Sequence, residues 1–234
     1  MTENALRFGG LQKNSYIDFP GKMSCVVFAS GCNFDCPYCH NPELVSGTKN
    51  RIAESDIIEY LKQRTGWLDG VVISGGEPTL QAELPIFCEK VKSMGYPIKL
   101  DTNGSRPEMI IRLLKDGLVD YIAMDIKTDP RMYVPLIAAR CNAEDILSSI
   151  DIILEGKAPY EFKTTCIKPI IGVNTMDRIT QLISGASLYA IQRFVHGDVL
   201  HPEFFNGRDC HFSDGEFMEL KSIAKRRVKT CIVR

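Results

Sequence analysis

The 234-residue sequence has no surplus of charge of either sign: 28 Lys and Arg face 29 Asp and Glu, for a formal net charge of −1. That balance points to no polyanionic partner, and it reads against nucleic acid and membrane surfaces. No apolar run approaches the length of a membrane span. The opening Met1-Thr2-Glu3-Asn4 lacks the basic-then-apolar pattern of a signal peptide, so the expected compartment is the cytoplasm. Low-complexity tracts, a fixed-period repeat and a Pro/Gly/Ser-rich linker are all missing, which leaves one domain over residues 1–234. Nine cysteines are an odd number and too few for a disulfide scaffold, so they are expected reduced, buried or metal-bound.

What is present is an alternation. Short β-rich runs at Cys25–Ala29, Gly70–Ile73, Pro97–Leu100, Tyr121–Met124, Phe162–Cys166 and Ser187–Phe194 are each followed by a helical pattern. The clearest helices carry Leu84, Phe87, Cys88, Val91 and Met94 before Gly95, and Ile146, Leu147, Ile150, Ile153 and Leu154 before Gly156. Weaker ones begin near Ser55, Pro107 and Asn174. Ser213 and Glu216 have capping-box spacing, and Val228–Val233 adds a further strand. Strand then helix, six times over, predicts a parallel α/β sheet, either doubly wound or a barrel, partial or complete. The core is expected over about 20–200, with the C-terminal helix and strand over about 213–233.

The polar residues gather just after the strands, where parallel α/β folds collect their chemistry. Gly31–His40 follows the first run, Ser74-Gly75-Gly76-Glu77-Pro78 the second, Asp101-Thr102-Asn103-Gly104 the third, and Asp125-Ile126-Lys127 the fourth. Cys32, Cys36 and Cys39 have C-x3-C-x2-C spacing, close enough for one loop to wrap three thiolates around a single metal centre. Such ligands select iron–sulfur, zinc or copper(I). Structural zinc wants four ligands, and the only local fourth is His40, adjacent to Cys39. A cubane cluster on three cysteines instead leaves one iron open for a substrate. Cys25, Cys88, Cys141, Cys166, Cys210 and Cys231 read as small core hydrophobes.

The cysteine loop resembles the hallmark of the radical S-adenosylmethionine (SAM) superfamily. Around it, Ser15–Lys22, Cys39-His40-Asn41-Pro42-Glu43, Ser74–Gln81, Asp101–Gly104 and Met124–Lys127 are similar to the activating enzymes of glycyl-radical enzymes. The similarity is dense from about Phe8 to Lys127 and thin beyond it. It implies a partial (β/α)6 barrel, a [4Fe–4S] cluster on Cys32, Cys36 and Cys39, and SAM bound at the open iron. Reductive cleavage of SAM then yields a 5′-deoxyadenosyl radical, and oxygen destroys the cluster.

The resemblance also implies site residues. Gly75 and Gly76 let backbone approach the methionine moiety, Glu77 accepts its amino group, and the backbone of Tyr38 reads the adenine edge. Asn103 joins the cofactor loop, Lys127 matches a basic residue that contacts SAM, and His196 falls near a SAM-contacting histidine. Asp101, Thr102, the Ala123 carbonyl and Asp125 match a monovalent-cation site. The expected partner is a glycyl-radical enzyme, most nearly an anaerobic ribonucleoside-triphosphate reductase. Activation of a pyruvate formate-lyase type enzyme, or small-molecule chemistry like that of 7-carboxy-7-deazaguanine synthase, is the alternative. Asn41–Ile73 contains no cysteine, so one cluster is expected, reduced by an external flavodoxin or ferredoxin. The run Lys225-Arg226-Arg227-Val228-Lys229 either complements the dipole of the last helix or docks such a donor.

Overall fold

The computed structural model describes residues 6–47 and 51–234; Met1–Asn4, read above for targeting, lies outside the described residues. One eight-stranded sheet organises the chain, its strands in sequence order. They are β1 (Phe8–Ser15), β2 (Ser24–Ala29), β3 (Gly70–Gly75), β4 (Ile98–Thr102), β5 (Tyr121–Asp125), β6 (Tyr160–Cys166), β7 (Tyr189–Arg193) and β8 (Cys231–Val233). From β2 to β8 every neighbouring pair is parallel, and only β1 runs antiparallel to β2. The result is a partial barrel with β1 and β8 at its two edges.

The helices of the crossovers are α1 (Pro42–Ser46), α2 (Glu54–Gln63), α3 (Leu84–Ser93), α4 (Pro107–Lys115), α5 (Tyr133–Leu136), α6 (Ala143–Leu154), α7 (Val173–Leu182) and α8 (Asp214–Lys225). Each predicted helix is present. Helix α8 starts with the expected reciprocal cap: Glu216 N donates to the Ser213 hydroxyl at 3.3 Å, and Ser213 N donates to the Glu216 carboxylate at 2.8 Å. Among the described residues, no helix is long and apolar enough to cross a membrane.

Strand alternation sorts the side chains into two faces. Cys25, Val27, Val71, Ile73, Ile98, Leu100, Ile122, Met124, Phe162, Tyr189 and Ile191 belong to the large core shared with the helices. The intervening residues turn to the inner face. At its amino end Phe19, Val26 and Val72 form a small separate cluster, with Phe28 and Tyr121 packed on it. Further along, the inner positions become polar: Ser74, Lys99, Asp101, Asp125, Glu161, Lys163, Thr165 and Gln192.

Strand β1 is an addition to the sequence reading. Its two glycines and three exposed polar residues, Gln12, Lys13 and Asn14, give no alternating signal. A long segment after β7 is a second addition. Leu200 N donates to the Cys39 carbonyl at 3.0 Å and His201 N to the Pro37 carbonyl at 3.2 Å, so this segment straps the loop that follows β2.

Candidate active site

The loops at the carboxyl ends of β2 to β7 enclose a cavity of about 330 Å3. Cys32, Cys36, Tyr38, Cys39, Gly75, Gly76, Glu77, Asp101, Thr102, Asn103, Asp125 and Lys127 all line it. Of the residues singled out in the sequence, only Ala123 and His196 do not. Ala123 is a fully buried rung of β5, opposite Asp101 on β4 and Glu161 on β6.

The cysteine loop is held tightly against β3. Gly76 N donates to the Ala29 carbonyl at 2.9 Å and Glu77 N to the Gly31 carbonyl at 2.8 Å. A side chain at either glycine collides with that packing. A Cβ on Gly76 falls 2.1 Å from the Gly31 oxygen, and one on Gly75, at φ +112°, falls 2.5 Å from the Ala29 oxygen. The two glycines are therefore required by the approach of two loops, whatever ligand also approaches them.

Glu77 is buried, with both carboxylate oxygens engaged by the protein. Oε1 accepts from Thr79 N at 3.0 Å and from the Thr102 hydroxyl at 2.8 Å, and Oε2 accepts from Asn103 N at 2.6 Å. Burial pushes its carboxyl up, against the donors that pull it down. Glu77 thus braces the loop after β3 against the loop after β4. Asn103 extends the brace, donating to Asn33 Oδ1 at 3.0 Å beside the first cysteine.

The three thiols fit a thiolate-bound cluster. Burial pushes Cys32 up to about 11 and Cys36 up to about 12, while the positive charge of Lys127 pulls both down. A bound metal deprotonates such thiols outright. The Cys32 sulfur already accepts from Phe34 N at 3.4 Å and from Asn103 Nδ2 at 4.0 Å, contacts that favour an anionic sulfur. His40, the local fourth ligand for zinc, is committed elsewhere: its Nε2–H donates to the Val195 carbonyl at 2.9 Å and its ring stacks on Phe194. The Tyr38 hydroxyl is the one buried side-chain polar atom without a hydrogen-bond partner among the described residues.

The cation expected at Asp101, Thr102, Ala123 and Asp125 does not fit. The Lys163 ammonium stands 3.5 Å from Asp101 Oδ1 and 3.5 Å from Asp125 Oδ2. Thr102 is turned to Glu77, and its hydroxyl oxygen accepts from Gly104 N at 3.1 Å. Burial works to raise the Asp101 carboxyl, but Lys163, Lys99 and the Ser74 hydroxyl overcome it and hold the group at about 2. Lys163 is not marked as a site residue by any sequence motif; its signal is a lysine, two residues after Glu161, inside a strand whose other residues are apolar or Thr.

His196 lies apart from the other residues expected to meet the cofactor. It is exposed, its ring 4.5 Å from His211 and 5.4 Å from Phe194, in an aromatic group outside the cavity. Its neighbours Gln192, Arg193 and Val195 line the cavity instead. The basic run Lys225–Lys229 precedes β8, which is parallel to β7, so it sits at the amino edge of the sheet, opposite the cysteine loop. There Arg227 pairs with Asp177 at 2.6 Å.

Comparison with known proteins agrees with this geometry. The family model described as the radical SAM superfamily matches residues 26–180. A Methanocaldococcus jannaschii protein named as a glycyl-radical enzyme activating enzyme is 34% identical over 233 residues, 96% of this chain and 94% of its own. The pyruvate formate-lyase-activating enzyme of Listeria monocytogenes is 35% identical over 141 residues, 54% of this chain and 55% of its own. In fold, the chain resembles the crystal structure of Streptococcus suis SuiB bound to S-adenosylmethionine, with a TM-score of 0.64 at 13% identity, covering 87% of this chain and 48% of that one.

Proposed function

The chain belongs to the radical SAM superfamily, and on that premise we propose that it activates a glycyl-radical enzyme, taking a hydrogen atom from a backbone glycine of the partner with a radical derived from SAM. The observation that carries this reading is the end-to-end match to a relative named as such an activating enzyme, in a chain whose three cysteines and strand-end loops line one cavity. The partner proposed first is an anaerobic ribonucleoside-triphosphate reductase, with a pyruvate formate-lyase type enzyme next.

When bound, a [4Fe–4S] cluster on Cys32, Cys36 and Cys39 supplies a low-potential electron and an open iron for the amino-acid end of SAM. The chain's own residues do the positioning. The braced loops around Gly76, Glu77 and Asn103 fix the edge of the cavity, and Lys127 contributes positive charge beside the thiolates. Phe34 and Tyr38, both buried, wall the cysteine loop and keep water from it. The strap over Cys39 and Pro37 shields the same loop from the other side. Residues 41–73 hold no cysteine, so the electron comes from an external flavodoxin or ferredoxin.

The test is anaerobic reconstitution, reduction, and mixing with SAM and each candidate partner. A glycyl doublet in the EPR spectrum of the partner is the expected result. SAM turnover stimulated by a small metabolite, with no radical on any protein, replaces this reading with the small-molecule one.

A further inference from the structure

We infer that the Lys163 ammonium is a built-in cation, a positioning group that occupies the space between Asp101 and Asp125 and makes the site independent of added metal ions. Two carboxylates at the ends of adjacent strands need a compensating charge, because uncompensated ionised groups of like sign in a part-buried site are costly. Three means exist: a proton, a metal ion or an ammonium. Here the third is in place.

The sheet register puts it there. Lys163 on β6 pairs directly with Asp125 on β5, while Asp101 lies opposite Ala123, two residues before Asp125. Alternation then turns Lys163, Asp125 and Asp101 to the same inner face. Lys163 Nζ is 3.5 Å from a carboxylate oxygen of each, and its side chain is only 12% exposed. Lys99 adds a second ammonium at 2.5 Å from Asp101, and Lys127 a third at 3.6 Å from Asp125. Three ammonium groups thus face two carboxylates. A metal ion coming between the carboxylates meets positive charge on every side at contact distances, where the repulsion in a part-buried site is several kcal/mol.

The first measurement is the melting temperature of the cluster-free chain in choline, sodium and potassium chloride at equal ionic strength. For the natural chain the three values are expected to coincide. Lys163→Ala is expected to melt lower in choline chloride and to recover by about 3 °C or more in sodium or potassium chloride, a shift that corresponds to about 1 kcal/mol in a chain of this size. Selective stabilisation of the natural chain by sodium or potassium overturns the inference, and that arm needs no variant to fold. A folded Lys163→Ala that no alkali cation restores overturns it as well.

The second readout rests on the proposed function. On reconstituted protein, SAM affinity by equilibrium dialysis is expected to be the same within twofold in choline and potassium chloride. For Lys163→Ala it is expected to fall at least tenfold in choline and to return with potassium. Failure of both proteins to bind SAM removes the proposed function, while the melting data, which involve neither SAM nor cluster, still decide the role of Lys163.

Discussion

The backbone N–H of Asn103 donates to Glu77 Oε2 at 2.6 Å, while the backbone N–H of Thr79 donates to Oε1 at 3.0 Å. Each carboxylate oxygen therefore faces a fixed donor. In Glu77→Gln the amide N–H2 confronts a backbone N–H whichever way it is turned. The expected cost is about 2 kcal/mol of unfolding free energy, the scale of a buried donor left unpaired. Urea unfolding of the cluster-free chain measures it, and an unchanged midpoint would show that the brace carries no weight.

Gly76→Ala tests the contact between loops. Its Cβ must enter space 2.1 Å from the Gly31 oxygen, which is backbone and has no rotamer to change. The cysteine loop is expected to move away from β3. Iron retained after anaerobic reconstitution and gel filtration should fall severalfold, with the far-UV circular dichroism of the fold unchanged.

The Asp101 carboxyl is held at about 2, below its ordinary value of 3.8, so its ionised form favours the folded state. That contribution is complete above the unfolded value and is lost as pH falls through the folded one. Asp101→Asn is expected to cost about 2 kcal/mol at neutral pH, from a shift of nearly two pH units. The difference between variant and natural chain should be constant above about pH 5 and shrink below pH 4. A difference in melting temperature that grows on acidification contradicts this assignment.

The nine cysteines divide into two groups. Single Ser substitutions of Cys32, Cys36 or Cys39 are expected to abolish stable binding of iron and sulfide. Cys88→Ala, on the fully buried face of α3, should keep the metal content and lose about 1 kcal/mol of stability. Equal metal loss in all four proteins would mean that the thiol loop has no special standing.

Much of this was legible in the sequence because the signals were local. Strands β2 to β7 each carry Val, Ile, Leu, Phe or Tyr near a polar strand end, and the helices carry periodic apolar stripes with Gly or capping residues at several of their ends. The cavity residues stood out because each loop directly follows its strand. What the sequence does not carry locally depends on pairing across the fold. Strand β1 is half polar and acquires its role only beside β2. Lys163 becomes part of the site only once register sets it against Asp125. His196 follows a strand end in sequence, yet its ring packs outward on His211. The glycines after β3 are expected to let backbone approach the methionine moiety; what approaches them in this structure is the backbone of Gly31 and Ala29.

The strap over the cysteine loop has a consequence for how the protein is made. His40 is closed by the Val195 carbonyl 155 residues later, and Asp35 by His201 166 residues later, at 2.9 Å in each case. Loop closures of that span come late, because the intervening chain must first be ordered. On the ribosome the three thiols emerge early and stay open to solvent and oxidants until the segment beyond Val195 has been synthesised. On the proposed function, iron delivered before that moment would meet the loop without its strap, and iron delivered after it would meet the loop with the strap in place. The order in which the loop is made and covered is thus written into the sequence distance between Cys39 and the residues that strap it.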